Sequence, residues 1–158
     1  MDQYEFRQLC GRFATGVTIV TVVDADGAPA GMTANSFASV SVDPLLISVA
    51  VDHAASMHDT MRAASVFTVN ILESHQEALA RRFAAGMPDR FDGVGWSRGP
   101  DGGVILDGAL AHLRCEPWAD VPAGDHTVLI GRVVGGAAAE HGRPLLYYRG
   151  GYADSDVR

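Results

Sequence analysis

The spacing of hydrophobic and polar residues changes several times along the chain, and each change marks an element. Phe6, Leu9, Cys10 and Phe13 fall at i, i+3, i+4 and i+7, the spacing of one apolar stripe on an amphipathic helix ending near Gly16. Residues 17–23 are then β-branched throughout, and Asp24-Ala25-Asp26-Gly27 supplies the turn of a hairpin whose return strand covers 29–33. Residues 45–51 and 66–72 are apolar runs of strand length, with a short helix predicted between them over 56–63. Ser74 with Glu77 three positions on has the capping-box pattern, opening a helix to about Ala85 that buries Leu79, Arg82 and Phe83 along one edge. Residues 86–103 are rich in Gly, Pro, Asp and Arg and predict a long surface loop. Strands resume over 104–106, 110–118, 126–137 and 144–148.

Seven or so strands with three short helices, lacking regular βαβ alternation, predict a mainly β chain closed into an antiparallel barrel. The glycine fingerprint of a Rossmann fold is missing, so a nicotinamide nucleotide would have to be held some other way. Length and composition fit one domain over residues 1–158: 47% of residues are hydrophobic and 20% charged, enough to build a core without staples. A net charge of −7 repels phosphate backbones and argues against a nucleic-acid partner. Every basic residue is arginine, which closes off Schiff-base and P-loop lysine chemistry. Cys10 and Cys115 are too far apart for a CxxC motif and are expected to be buried free thiols. The six histidines form no HxH or HxxxH pair, and no GxSxG occurs, so neither a metal site nor a serine hydrolase is indicated. With no apolar leader and no membrane-length apolar run, the expectation is a cytoplasmic protein.

Small and hydroxylated residues run without interruption from Gly31 through Met32, Thr33, Ala34, Asn35 and Ser36 to Ser39 and Ser41. Such a stretch leaves main-chain amides accessible to a flat heterocycle; it equally describes a polar edge strand entering a turn. Ser56 sits where a strand-to-helix loop presents free N–H groups to a phosphate, or else it caps its own helix with Asp59. Asp52 and Asp59 oppose a dianion there, while Arg81, Arg82, Arg90 and His53 are candidates to neutralise it. His126 follows Gly124-Asp125 and opens an apolar strand, where it either meets a ligand or bonds to Asp125 as a turn histidine. Tyr147, Tyr148 and Tyr152 suit ring stacking and packing alike.

Thr33-Ala34-Asn35-Ser36-Phe37, Ser39-Val40-Ser41 and Asp43-Pro44 resemble the hallmark of the short-chain flavin reductases, the reductase components of two-component flavin-dependent monooxygenases. The resemblance extends to Phe13-Ala14-Thr15-Gly16-Val17, to Phe67 through Leu72, to Arg90-Phe91 and to Gly124-Asp125-His126, in the family's order. It implies a split antiparallel β-barrel with Greek-key connections, working as a homodimer that binds FMN or FAD. It also implies reduction of that flavin by hydride from NADH, possibly NADPH, with reduced flavin supplied to a partner monooxygenase. The implied flavin contacts are Met32, Thr33, Ala34, Asn35, Ser36 and Ser39 along the ring and ribityl chain. Ala50, Val51, Asp52, His53, Ser56 and Met57 follow at the phosphate, joined by Phe83, Ala84, Arg90 and Tyr152, with His126 as the catalytic residue beside the nicotinamide. One departure is the ending, where Ala153-Asp154-Ser155-Asp156 replaces a basic tail. The competing readings are a non-catalytic flavin- or haem-binding split barrel and an oxidase of the pyridoxamine-phosphate type, the latter needing a basic substrate pocket that a lysine-free chain builds less easily.

Overall fold

A computed structural model describes residues 1–153 and shows a mainly β chain. In order, the elements are α1 (Gln3–Cys10), β1 (Thr15–Gly16), β2 (Thr18–Val23), β3 (Pro29–Ala34), β4 (Ala38–Val42), β5 (Leu45–Asp52), α2 (His58–Ala63) and β6 (Phe67–Ile71). A 3-10 turn (Ser74–Gln76) leads into α3 (Glu77–Ala84), followed by β7 (Trp96–Arg98), β8 (Val104–Leu106), β9 (Ala111–Ala123), β10 (His126–Ala138), β11 (Leu146–Tyr148) and β12 (Gly151–Ala153).

Seven strands form one antiparallel sheet in the order β3-β2-β6-β9-β10-β5-β4, with β1-β11-β12 and the β7-β8 hairpin as smaller sheets. The ladders do not close into the barrel that the strand count predicts. Residues 35–37 leave the β3 ladder and β4 then pairs with β5, so β3 and β4 end as the two free edges of the sheet.

The β-branched run of β2 is buried on both faces, because two cores meet there. Val20 and Val22 face a core with Val49, Val51, Val69, Leu129 and the Met61 side chain of α2. Ile19 faces the other, made by Leu72, Leu106, Leu145 and the Ala80 and Phe83 side chains of α3. Buried polar groups stitch the layers: the Asn70 amide donates to the Ile19 carbonyl (3.1 Å) and to Thr21 Oγ1 (3.0 Å), and its oxygen accepts from the Leu106 N–H (2.9 Å). Thr21 passes its own proton to the Val104 carbonyl at 2.6 Å. Satisfying such groups is what allows polar residues into a core.

Several expectations need correction. Helix α1 stops at Cys10, well short of Gly16, and its apolar stripe is exposed, with Phe6 59% and Leu9 60% accessible. Amphipathicity marks a stripe without saying which surface covers it. Cys10 is therefore an exposed thiol, whereas Cys115 is buried, its pKa pushed up to about 12 by desolvation and then by Asp101. Glu73, not Ser74, caps the turn before α3: its carboxylate accepts from the His75 N–H at 2.8 Å, and the Gln76 side chain accepts from the Glu73 N–H at 2.9 Å. A carboxylate offers two acceptors where a hydroxyl offers one short reach. Helix α3 buries Ala80 and Phe83 rather than Arg82. Helix α2 begins at His58, with no side-chain cap, so Ser56 does not cap it. The stretch 86–103 is not all loop, since β7 pairs with β8 and Phe91, Val94 and Trp96 pack on the second core. β4 bears out the edge-strand reading of the stretch ending at Ser41, and β12 is a strand that the pattern of residues did not predict. Among the described residues no helix is long and apolar enough to cross a membrane. Residues 154–156, where the expected basic ending is replaced, lie outside the described residues.

Candidate functional site

A groove follows the free edge of β3. Its first compartment, about 350 Å³, is lined by Met32, Thr33, Ser56, Met57, Phe83, Ala84 and Arg90 together with Ala54, Ala55, Ala85 and Gly86. The second, about 190 Å³, shares Thr33 and Ala84 and adds Val17, Ala34, Asn35, Tyr147 and Tyr152. The third, about 540 Å³, shares Asn35 and Tyr147 and reaches the exposed face of α1 at Phe6, Cys10 and Phe13. The first and third volumes fall within the ~300–1,000 Å³ of small-molecule clefts, and the second, smaller than that, joins them through shared lining residues.

Arg90 dominates the first compartment. It is 8% exposed and donates from its terminal nitrogens to the Gly31 carbonyl (2.5 Å) and to Ser56 Oγ (3.1 Å). Its Nε has no partner, and no carboxylate pairs with it among the described residues. Burial pulls its pKa below the usual guanidinium value, because desolvation disfavours the charged form. The other two candidate arginines are otherwise engaged. Arg81 pairs with Glu77 at 2.7 Å and lies over the Tyr152 ring at 4.8 Å, and Arg82 donates to the Asp89 carbonyl.

Around Arg90, the loop from β5 to α2 supplies backbone donors. The Ser56 and Met57 N–H groups have no partner among the described residues, while Asp52 turns its carboxylate back to the Ala54 N–H at 2.8 Å and so points a negative charge at its own loop. Asp59 is 99% exposed and bonded to His58. The two acidic residues are thus held by local partners.

Further along, the Thr33 hydroxyl donates to the Ala80 carbonyl at 2.6 Å, clamping the β3 edge to α3. Ser36 Oγ both donates to the Ala50 carbonyl (3.1 Å) and accepts from the Ala50 N–H (3.0 Å), tying the link after β3 onto β5. Tyr147 and Tyr152 meet edge to face at 5.3 Å, and burial raises the Tyr152 pKa, so its hydroxyl stays neutral.

The remaining predicted residues fall outside the groove of the single chain. Val51 turns its side chain into the core, Ala50 is occupied by Ser36, His53 bonds to Thr127, and Ser39 lies on the opposite edge strand. His126 opens β10 opposite Asp52. Its Nδ1 lies 2.7 Å from Asp125, whose carboxyl that bond holds below the usual range. Val17, Ala85 and Gly86 line the groove without any sequence signal for it, since small residues in loops and a core valine carry no binding pattern of their own, whereas Ala54 and Ala55 lie within the segment implied for the phosphate and Tyr147 is among the stacking candidates.

A buried lone cation, free amides and an aromatic-lined continuation define a mainly β protein built to take an anionic, ring-bearing ligand. Residues 10–156 match the flavin reductase like domain family, to which the chain belongs. It is 38% identical to "Flavin-dependent monooxygenase, reductase subunit HsaB" of Rhodococcus jostii, over 96% of this chain and 77% of that protein. It is 41% identical to "Stachydrine N-demethylase reductase subunit Stc3" of Rhizobium meliloti, over 96% of this chain and 65% of that one. The solved structure of the Streptomyces globisporus NADH:FAD oxidoreductase SgcE6 with NAD and FAD fragments superposes with a TM-score of 0.92 at 38% identity, covering 99% of this chain and 96% of that one.

Proposed function

We propose that this chain, an NADH-dependent flavin reductase, holds FAD or FMN in the groove along β3 and gives up the reduced flavin to a partner monooxygenase. Arg90 carries the reading of the groove: a buried cation lacking a carboxylate, beside two unpartnered amides, is completed by a phosphate. The residues present therefore fit a flavin nucleotide. HsaB and Stc3 are named as reductase subunits, which supports a monooxygenase as the recipient, and SgcE6 was solved with NAD and FAD fragments, which supports the nucleotide pair. NADPH is the alternative donor.

What the bound pair supplies is hydride transfer from nicotinamide to the isoalloxazine ring. The chain's own work is binding and alignment, which removes the entropy cost of bringing two reactants together. Arg90, Ser56 and Met57 hold the phosphate. Met32, Thr33, Ala34 and Asn35 orient the ring from the β3 edge, whose rigidity comes from the Thr33 clamp on α3. Phe83, Ala84 and Tyr152 form the apolar wall that keeps water from the ring. His126, its Nδ1 fixed by Asp125 and its place outside the single-chain groove, is assigned to the nicotinamide through the family resemblance.

In this reading the open sheet is one half-closed side of a split barrel with Greek-key connections, and a second copy covers the exposed apolar face of α1. Tyr4, Phe6, Leu9 and Phe13 there are 72%, 59%, 60% and 78% exposed, a patch of the kind that marks protein contacts. The homodimer then finishes the third compartment. A reaction fed by NADH belongs in the cytoplasm.

The test is anaerobic addition of NADH to the full chain with FAD or FMN, followed by flavin absorbance, repeated with His126→Ala. Bleaching of the flavin bands is expected, with a KM for NADH raised several-fold and kcat of the same order in the variant. Binding without bleaching means a non-catalytic flavin carrier, and an unchanged KM removes His126 from the nicotinamide site.

A further inference from the structure

Both ends of the loop that carries the first compartment meet at one hydroxyl. His53, the residue after β5, sets Nε2 3.1 Å from Thr127 Oγ1, and His58, the first residue of α2, sets Nε2 2.9 Å from the same atom. The two imidazoles stand edge to face with centroids 5.0 Å apart. Thr127 itself belongs to β10, is 5% exposed and lines no part of the groove.

A hydroxyl has one proton and two lone pairs, so Thr127 can donate to at most one of the two rings. Their direction follows from the far end. His58 Nδ1 lies 2.9 Å from the Asp59 carboxylate, which only accepts, so the proton of the neutral ring resides on Nδ1. His58 Nε2 is then a lone pair and accepts the Thr127 proton. The Thr127 oxygen accepts in turn from the Nε2–H of His53. The bonds run one way, His53 to Thr127 to His58 to Asp59, and the His53 N–H is pinned separately to the Asp125 carbonyl at 2.9 Å.

We propose that Thr127 is a positioning residue: its hydroxyl, by accepting from His53 and donating to His58, fixes the span of the 53–58 loop and so aims the Ser56 and Met57 amides at the flavin's phosphate. The proposal rests on the phosphate reading of the first compartment. Among the described residues no other hydroxyl reaches both rings; the loop's remaining bonds, Ala54 N–H to the Asp52 carboxylate, Ala55 N–H to the Asp52 carbonyl, His58 N–H to the Ala55 carbonyl and Arg90 to Ser56 Oγ, hold its middle and do not join its two ends on the sheet. Valine matches threonine in shape but offers neither donor nor acceptor.

The test compares FMN with riboflavin, which lacks the phosphate, in equilibrium fluorescence titrations of the full chain. Wild type binds FMN more tightly than riboflavin. Thr127→Val loses roughly tenfold in FMN affinity, the size of one well-placed buried hydrogen bond, and keeps its riboflavin affinity. Thr127→Ser restores FMN binding to within about twofold, and His58→Leu, which removes the acceptor without touching β10, reproduces the Thr127→Val loss, so the test stands if the valine variant does not fold. FMN affinity unchanged in both Thr127→Val and His58→Leu overturns the clasp and leaves the phosphate pocket standing. Equal weakening of FMN and riboflavin also overturns it, as general damage. A wild type that prefers FMN no more than riboflavin removes the phosphate reading, and the clasp with it.

Discussion

At one end of the groove Arg90 is 8% exposed and held by a carbonyl and a hydroxyl of its own chain, while at the other Phe6 and Phe13 stand 59% and 78% exposed around α1. The first end is polar and rigid. Its fault is electrostatic, because a cation taken out of water without a counter-ion costs stability until an anion arrives. The second end is apolar and bare, and its fault is area left in water, at ~25 cal/mol per Å². On the proposed reading, what each end lacks is supplied by a small dianion in one case and by another protein surface in the other.

The sharpest way to break that contrast is Arg90→Met, which keeps the stem and removes the charge. FMN affinity should fall on the order of a hundredfold, about 3 kcal/mol, the upper range for hydrogen bonds to charged groups. Urea unfolding of the flavin-free variant should move little or toward greater stability, because the uncompensated charge is gone. A Kd shifted by less than roughly threefold means that the anion sits elsewhere.

The apolar end is tested by Phe6→Asp with Phe13→Asp. Both side chains are solvent-exposed in the single chain, so the monomer fold should survive, whereas a dimer that buries them should weaken by roughly tenfold or more in sedimentation equilibrium. An unaffected dimer moves the contact to other exposed apolar residues, among them Val42 of β4, Leu45 of β5 and Trp118 of β9, which are 88%, 53% and 54% exposed. A wild type that sediments as a monomer removes the second copy altogether.

The same contrast explains how much could be read from residues alone. Residues 17–23 announce a strand because β-branching is a local property, and β2 lies there almost as predicted. The stripe on α1 was equally legible, but its covering surface is not encoded locally, and Cys10 within it is exposed rather than the buried thiol expected from the lack of a CxxC partner. Residues 38–42, Ala-Ser-Val-Ser-Val, form the polar edge strand that was one of two equal readings of the stretch from Gly31 to Ser41, because an edge strand pairs on one side only and needs no continuous apolar face. Met32, Thr33, Ser56, Met57, Phe83, Ala84 and Arg90, named as flavin contacts only through the family resemblance, line one compartment. That Arg90 lacks a carboxylate, and that Thr127 joins two histidines 5 positions apart in the chain, depends on which strands face each other. No spacing rule carries that information.

The smallest expected effect concerns the joint between the two ends. The Glu73 carboxylate accepts from the His75 and Arg143 N–H groups, from the Ser74 hydroxyl and from the His75 ring, so it ties the turn before α3 to the chain leading into β11 and Tyr147. Those bonds, the His75 and Arg143 N–H donors foremost, lower its pKa from 4.5 to about 2. A carboxyl depressed on folding contributes stability above its unfolded pKa and loses it as pH falls through the folded one. The Glu73 contribution should therefore be complete at neutral pH and decline between pH 4.5 and about 2. Glu73→Gln, which keeps the shape but not the charge, should be the less stable protein at pH 7, and its urea midpoint should converge on that of wild type as the solution is acidified through that window. A constant gap between the two midpoints would show that Glu73 acts by shape alone, leaving the polar and apolar ends of the groove joined by packing rather than by charge.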